Sequence, residues 1–137
     1  MILHSRILYE DNHLIAVNKL AGELSQGDET GDVTISDLVK QYIREKYVKP
    51  GKVFLGVAHR LDRPVSGVML FARTSKALER LTEMLRERKI EKTYWAVVKN
   101  KPKELSGELV HHLKREKGKN VTKAFQTRQK ETKESQL

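Results

Sequence analysis

The chain has no cysteine among its 137 residues. Disulfides and thiolate metal sites are therefore excluded, and stability must come from packing and polar contacts. Long apolar runs are also missing. None approaches the roughly 18 residues that a membrane-spanning helix requires. The first twenty residues carry no signal-peptide core, because Asp11, Asn12 and His13 interrupt the apolar residues around them. A soluble, cytoplasmic protein is expected. Acidic residues are scarce beside basic ones: 18 Asp and Glu against 27 Lys and Arg, for a formal charge of +9 and a pI near 9.8. That balance favours polyanionic partners, nucleic acid first and acidic membrane surface second. An evenly solvated surface would give the same count, and charge alone does not separate the two.

The length suits one domain, able to bury about two thirds of its unfolded surface. Ile7 to Glu10 and Leu14 to Val17 are short apolar runs split by Asp11-Asn12-His13, a hairpin signal. Lys19 to Asp32, with Gly22, Gly27 and Gly31, reads as an irregular loop. Ile35, Leu38, Val39, Tyr42 and Ile43 repeat at helical spacing and predict a helix over 33–47, capped by Asp32 or Thr34. Val53 to Val57 is a short apolar run, and Val68 to Ala72 reads as a buried strand. Thr74 or Ser75 caps a second helix running to about Arg88. Its stripe is Ala77, Leu78, Leu81 and Leu85, and most of its other surface is basic. Lys92 to Val98 reads as a strand rich in aromatic and β-branched residues, and Leu105 to His112 as a further short one.

The character changes near the end. Residues 113–137 carry few large apolar side chains beyond Val121 and Phe125, with many lysines and arginines. Such a composition cannot bury enough surface to fold alone. Residues 1–112 are therefore expected to form the folded portion and 113–137 a basic, mobile tail.

One segment concentrates chemistry: His59-Arg60-Leu61-Asp62-Arg63-Pro64-Val65-Ser66-Gly67. Asp62 sits between two arginines that keep their charge, just before the buried run Val68 to Ala72. Pro64 restricts the backbone of Arg63, and Gly67 permits a turn into the next strand. A rigid loop at a strand end is a common seat for a catalytic side chain. The plainer reading is a surface ion pair between Asp62 and a neighbouring arginine, worth at most about 1 kcal/mol. From these residues alone the plainer reading leads. His59 reads as a loop support through a hydrogen bond. His111 and His112 are adjacent, so they face opposite sides of a strand and make a poor metal pair.

Together with its surroundings, this segment resembles the HRLDRxTSG signature of the RluA family of RNA pseudouridine synthases. Ile7 to Lys19 resembles the family's opening hairpin, and Lys19-Leu20-Ala21-Gly22 its KPAG loop. Phe71 to Ala77 matches the strand-to-helix passage after the signature, and Lys92-Thr93-Tyr94 the KxY motif. The resemblance covers residues 6 to about 112 in the family's order. It implies an α+β pseudouridine synthase fold, in part, with a mixed, mainly antiparallel sheet and two principal helices.

The resemblance also implies a reaction. The N1–C1′ bond of a uridine in ribosomal or transfer RNA breaks, the uracil turns, and C5 joins C1′. No metal or organic cofactor is implied. Asp62 is the implied catalytic carboxylate, attacking covalently or removing a ribose proton. Tyr94 is implied to pack on the target uracil, and Arg60 to hold the flipped-out nucleotide. Arg63, Lys92 and Arg73 are expected to contact RNA phosphates, as is Lys76. Such contacts position a strand without reading its sequence.

Three departures stand out. Val65 replaces the usual threonine while keeping the β-branched shape. Leu20 replaces proline and is expected to loosen its loop. Nothing matches the family's later TGRxHQIRxH motif, whose arginine pairs with the catalytic aspartate. The chain thus resembles the N-terminal part of a catalytic domain, its end from Lys123 unlike the family's continuation. A frameshifted or prematurely ended reading frame is the expectation, ahead of a deliberately cut chain; the function expected is the synthase's, with a catalytically inactive RNA-binding fragment or a remnant of such an enzyme as the alternative.

Overall fold

A computed structural model describes residues 4–27, 31–116, 121–127 and 133–136. The backbone forms two compact units, Met1–Thr93 and Tyr94–Leu137. The first unit is built on a four-stranded antiparallel sheet in the order β1-β2-β4-β3. Its strands are β1 (Ile7–Glu10), β2 (Leu14–Lys19), β3 (Gly56–Val57) and β4 (Gly67–Ala72). The β1–β2 hairpin closes through Asp11, whose carboxylate accepts from the N–H groups of His13 and Leu14. An aspartate serving its own turn in this way is why the break between the two apolar runs was readable.

Register explains the core. Ile15 pairs with Phe71 and Val17 with Met69 across β2 and β4, so all four share one face. They are fully buried with Ile35, Val39 and Ile43 of α1 (Ile35–Lys46), and with Leu55 and Leu61 nearby. Burying each such side chain contributes about 1.5–3 kcal/mol. Helix α1 starts where a capping box forms. Thr34 Oγ1 accepts from the Asp37 N–H, and the Asp37 carboxylate accepts from the Thr34 N–H. Helix α2 (Ser75–Arg86) is capped by Thr74 and packs against β3 and β4. Of its apolar stripe only Leu81 is fully buried, and Met84 is exposed.

The other end of the sheet is tied by one carboxylate. Glu10 accepts from Tyr42, Tyr47, Lys46 and Arg73, linking β1, α1 and the end of β4. Burial would raise its pKa, but bonds from Lys46, Tyr47 and Tyr42 outweigh that and hold the carboxyl below the usual glutamate range.

The second unit departs from expectation. Residues 92–98, read as a strand, belong to no strand among the described residues, and Trp95 and Val97 are almost wholly exposed. Strand-forming side chains do not make a strand without a partner for the backbone. Residues 113–137, read as a mobile tail, contain strands instead. β5 (Val110–Arg115) pairs antiparallel with β6 (Thr122–Phe125) and with β7 (Lys133–Gln136). Backbone ladders organise the segment even though no described side chain in 110–127 is buried. The fold class is the expected one: mainly antiparallel sheet with two helices.

Candidate active site

The segment from His59 to Gly67 runs from just after β3 into β4, and its backbone is held at Leu61, Asp62, Arg63 and Val65 before it enters the strand. Ser25, itself buried, both donates to the Leu61 carbonyl at 2.5 Å and accepts from the Leu61 N–H at 3.1 Å. Gly22 N–H donates to the Arg63 carbonyl at 2.7 Å, with φ of +89° at Gly22. Val65 N–H donates to the Asp62 carbonyl at 3.0 Å and closes a turn. Gly67 leaves the loop at φ +144°, a conformation that L side chains rarely adopt.

The side chain that gathers these parts is Lys19. It is fully buried at the end of β2. Its Nζ donates to the carbonyls of Leu20, Asp62, Arg63 and Val65, at 3.2, 3.1, 3.2 and 2.6 Å. Burial pushes its pKa down, and the carboxylates of Glu23 and Asp62 pull it back. Glu23 in turn is paired with Arg6 at 2.5 Å and accepts from the Leu20 N–H at 2.8 Å. Proline at position 20 could not make that last bond. Leu20 therefore supplies a tie where its sequence suggested a looser loop.

On this backbone the Asp62 side chain is exposed. Neither flanking arginine pairs with it. Arg63 donates through Nε to the Gly22 carbonyl and through Nη2 to Asp32 at 2.9 Å. Arg60 is exposed, with no ion pair to a described residue. The plain ion-pair reading of the motif is thus not what forms. What the loop presents is a carboxylate held by its main chain and open to a substrate.

His59 sits where the loop begins. Its Nε2 accepts from the Leu70 N–H at 2.9 Å, which fixes the neutral ring with its proton on Nδ1. Burial lowers its pKa and the charge of Lys92 lowers it further. Lys92 is therefore brought close enough to act on the site's electrostatics. Arg73 is not part of this cluster. Its guanidinium pairs with Glu10 at 3.2 Å, donates to the Asp11 carbonyl and lies over the Tyr47 ring. With its side chain only 9% exposed it serves the fold, so the expected phosphate contact is corrected. Tyr94 opens the second unit and is largely exposed.

Sequence reasoning missed Lys19 and Ser25 as parts of the site. A lysine and a serine in a glycine-rich stretch look like solvated loop residues. Their partners lie 36 to 46 residues away and become visible only in three dimensions. No cluster of three or more metal-ligating side chains is found among the described residues. No described helix is long and apolar enough to cross a membrane.

Comparison with known proteins places this geometry. The family model described as RNA pseudouridylate synthase matches residues 13–137. The chain belongs to the RNA pseudouridylate synthase family. Its match runs through the last residue, so the end of the chain does follow the family's pattern, contrary to the reading from sequence. A ribosomal large subunit pseudouridine synthase C of Buchnera aphidicola is 41% identical over 96 residues, 70% of this chain and 29% of that protein. A tRNA pseudouridine synthase C of Vibrio parahaemolyticus is 37% identical over 132 residues, 94% of this chain and 50% of that one. The fold matches human RNA pseudouridylate synthase domain containing 4 with a TM-score of 0.76 at 22% identity, over 96% of this chain and 51% of the human one. The chain thus spans between 29% and 51% of the length of these relatives.

Proposed function

We propose that this chain carries the catalytic carboxylate of an RNA pseudouridine synthase and isomerises uridine to pseudouridine in ribosomal or transfer RNA. The observation that supports it best is the Asp62 carboxylate, exposed and without an ion pair to a described residue, on a loop whose main chain is fixed by Ser25, Gly22 and Lys19. Both RNA classes appear among the names of the relatives.

In this reading the target nucleotide leaves its stack, at a cost of a few kcal/mol. Arg60 and Tyr94 offset part of that cost by packing on bases. Arg63 and Lys92 contact phosphate and set the strand's position. Asp62 then acts on the ribose or the uracil while the N1–C1′ bond breaks and C5 replaces N1. A second reading, RNA binding without turnover, draws on the basic surplus of the chain, 27 Lys and Arg against 18 Asp and Glu.

Tritium release from RNA labelled at uracil C5 separates the two. Release at high enzyme supports the synthase. RNA binding without release supports the second reading and removes the synthase reading for this chain.

A further inference from the structure

We propose that Glu23 is a positioning residue for Asp62: clasped by Arg6, its carboxylate closes the turn 20–23 and so fixes the backbone that holds Arg63, the neighbour of Asp62. The inference rests on the role proposed for Asp62 and goes beyond it, because Arg6 and Glu23 lie outside the His59–Gly67 segment and act on it only through the turn.

Leu20, Ala21 and Gly22 are exposed, so packing does little to hold this turn. Yet Gly22 meets Arg63 twice. Its N–H donates to the Arg63 carbonyl at 2.7 Å, and Arg63 Nε donates to the Gly22 carbonyl at 3.1 Å. The place of Arg63, and of Asp62 beside it, therefore depends on what fixes the turn. Glu23 does so from two sides. Its N–H donates to the Leu20 carbonyl at 3.4 Å, a long bond, and its Oε2 accepts from the Leu20 N–H at 2.8 Å. The carboxylate is in turn aimed by Arg6. Nη1 and Nη2 of Arg6 donate to its two oxygens at 3.0 and 2.5 Å, a bidentate fork. Arg6 Nε and Nη2 also donate to the Asn18 carbonyl, at 3.1 and 3.0 Å, so the fork is seated on β2. Both side chains are mostly covered, Arg6 14% and Glu23 24% exposed. Burial would raise the pKa of Glu23, but bonds from Arg6 and the Leu20 N–H, with the charges of Arg6 and Lys19, hold it below the usual glutamate range. A lone ion pair near the surface contributes little to stability. What these five bonds add is direction: one acceptor oxygen held on the Leu20 N–H.

The first test needs no turnover. In Glu23→Ala, hydrogen exchange at the Gly22 amide should rise about tenfold or more while Val39, in α1, keeps its protection. Arg6→Ala should act in the same direction. The double variant should exchange no faster than Glu23→Ala alone, because both changes break one clasp. Effects that multiply, an unchanged Gly22, or an equal rise at Val39 would each overturn the proposal. Glu23→Gln keeps an acceptor oxygen for the Leu20 N–H, so its Gly22 amide should stay within about threefold of the parent. Exchange as fast as in Glu23→Ala would show that charge alone matters and would overturn the clasp. In the tritium assay, Glu23→Ala should lower the rate under saturating RNA about tenfold, a part of the roughly 100-fold cost of a 1 Å misplacement, and leave the RNA Kd within about twofold. A change confined to Kd would contradict positioning. Absence of release by the parent protein would instead sink the proposed function, and the exchange data would still decide the role of Glu23.

Discussion

Replacing Ser25 by alanine probes how the loop is held without touching any residue near the RNA. Ser25 Oγ meets both the carbonyl and the N–H of Leu61, and both residues are buried. Removing the hydroxyl leaves one buried donor and one buried acceptor without partners. Each such group costs about 1–3 kcal/mol. Water entering the small gap would recover part of this, so Ser25→Ala should lose about 2–4 kcal/mol. In a unit of this size that is a fall in Tm of roughly 10–25 °C. Urea unfolding followed by far-UV circular dichroism gives the free energy, and hydrogen exchange at the Leu61 amide gives the local effect. A loss under about 0.5 kcal/mol, the scale of a neutral surface change, would refute the reasoning. So would a Leu61 amide whose protection stays that of the parent protein.

Other predictions concern the loop and the carboxylates. Gly67→Ala, at φ +144°, should cost more than about 1 kcal/mol through backbone strain; an unchanged Tm would show that the turn relaxes. Glu10 is held below the usual glutamate range, so its contribution is present above that range and is lost as pH falls through its lower folded value. Stability measured between pH 5 and 2 should therefore fall less steeply in Glu10→Gln, and an identical slope would contradict the role of the Glu10 cluster. His59 is neutral in the fold with a lowered pKa, so acidification through its unfolded value near 6.5 should destabilise the protein, and His59→Gln should remove that step from a pH series of melts. Asp62→Asn should leave the unfolding free energy unchanged within about 0.5 kcal/mol, because the side chain is exposed and pairs with no described residue; a large shift would mean that the carboxylate serves the fold.

Much of the first unit was legible in the sequence because its signals are local. The hairpin break at Asp11, the helical spacing of Ile35, Val39, Tyr42 and Ile43, and the caps at Thr34 and Thr74 depend on residues a few positions apart. Asp62 could be singled out, but not whether it would be paired. That depended on Arg63 reaching Gly22 and Asp32 instead. Arg73 looked like any surface cation beside a helix start, and its burial on Glu10 and Tyr47 depends on α1 lying beside the hairpin. Lys19 is the clearest gap, since polarity alone predicts exposure and only the converging carbonyls of Asp62, Arg63 and Val65 reverse it. Residues 92–98 erred the other way. Their side chains favour a strand, but strand formation belongs to a pair of segments, and composition cannot supply the second.

The central claim is that Asp62 is the catalytic carboxylate of an RNA pseudouridine synthase. Nucleoside analysis of RNA after a single turnover, with enzyme in excess, tests it most directly. The parent chain should convert uridine to pseudouridine, and Asp62→Asn should give none while binding the same RNA within about twofold. Pseudouridine formed by Asp62→Asn at the parent rate would contradict the account.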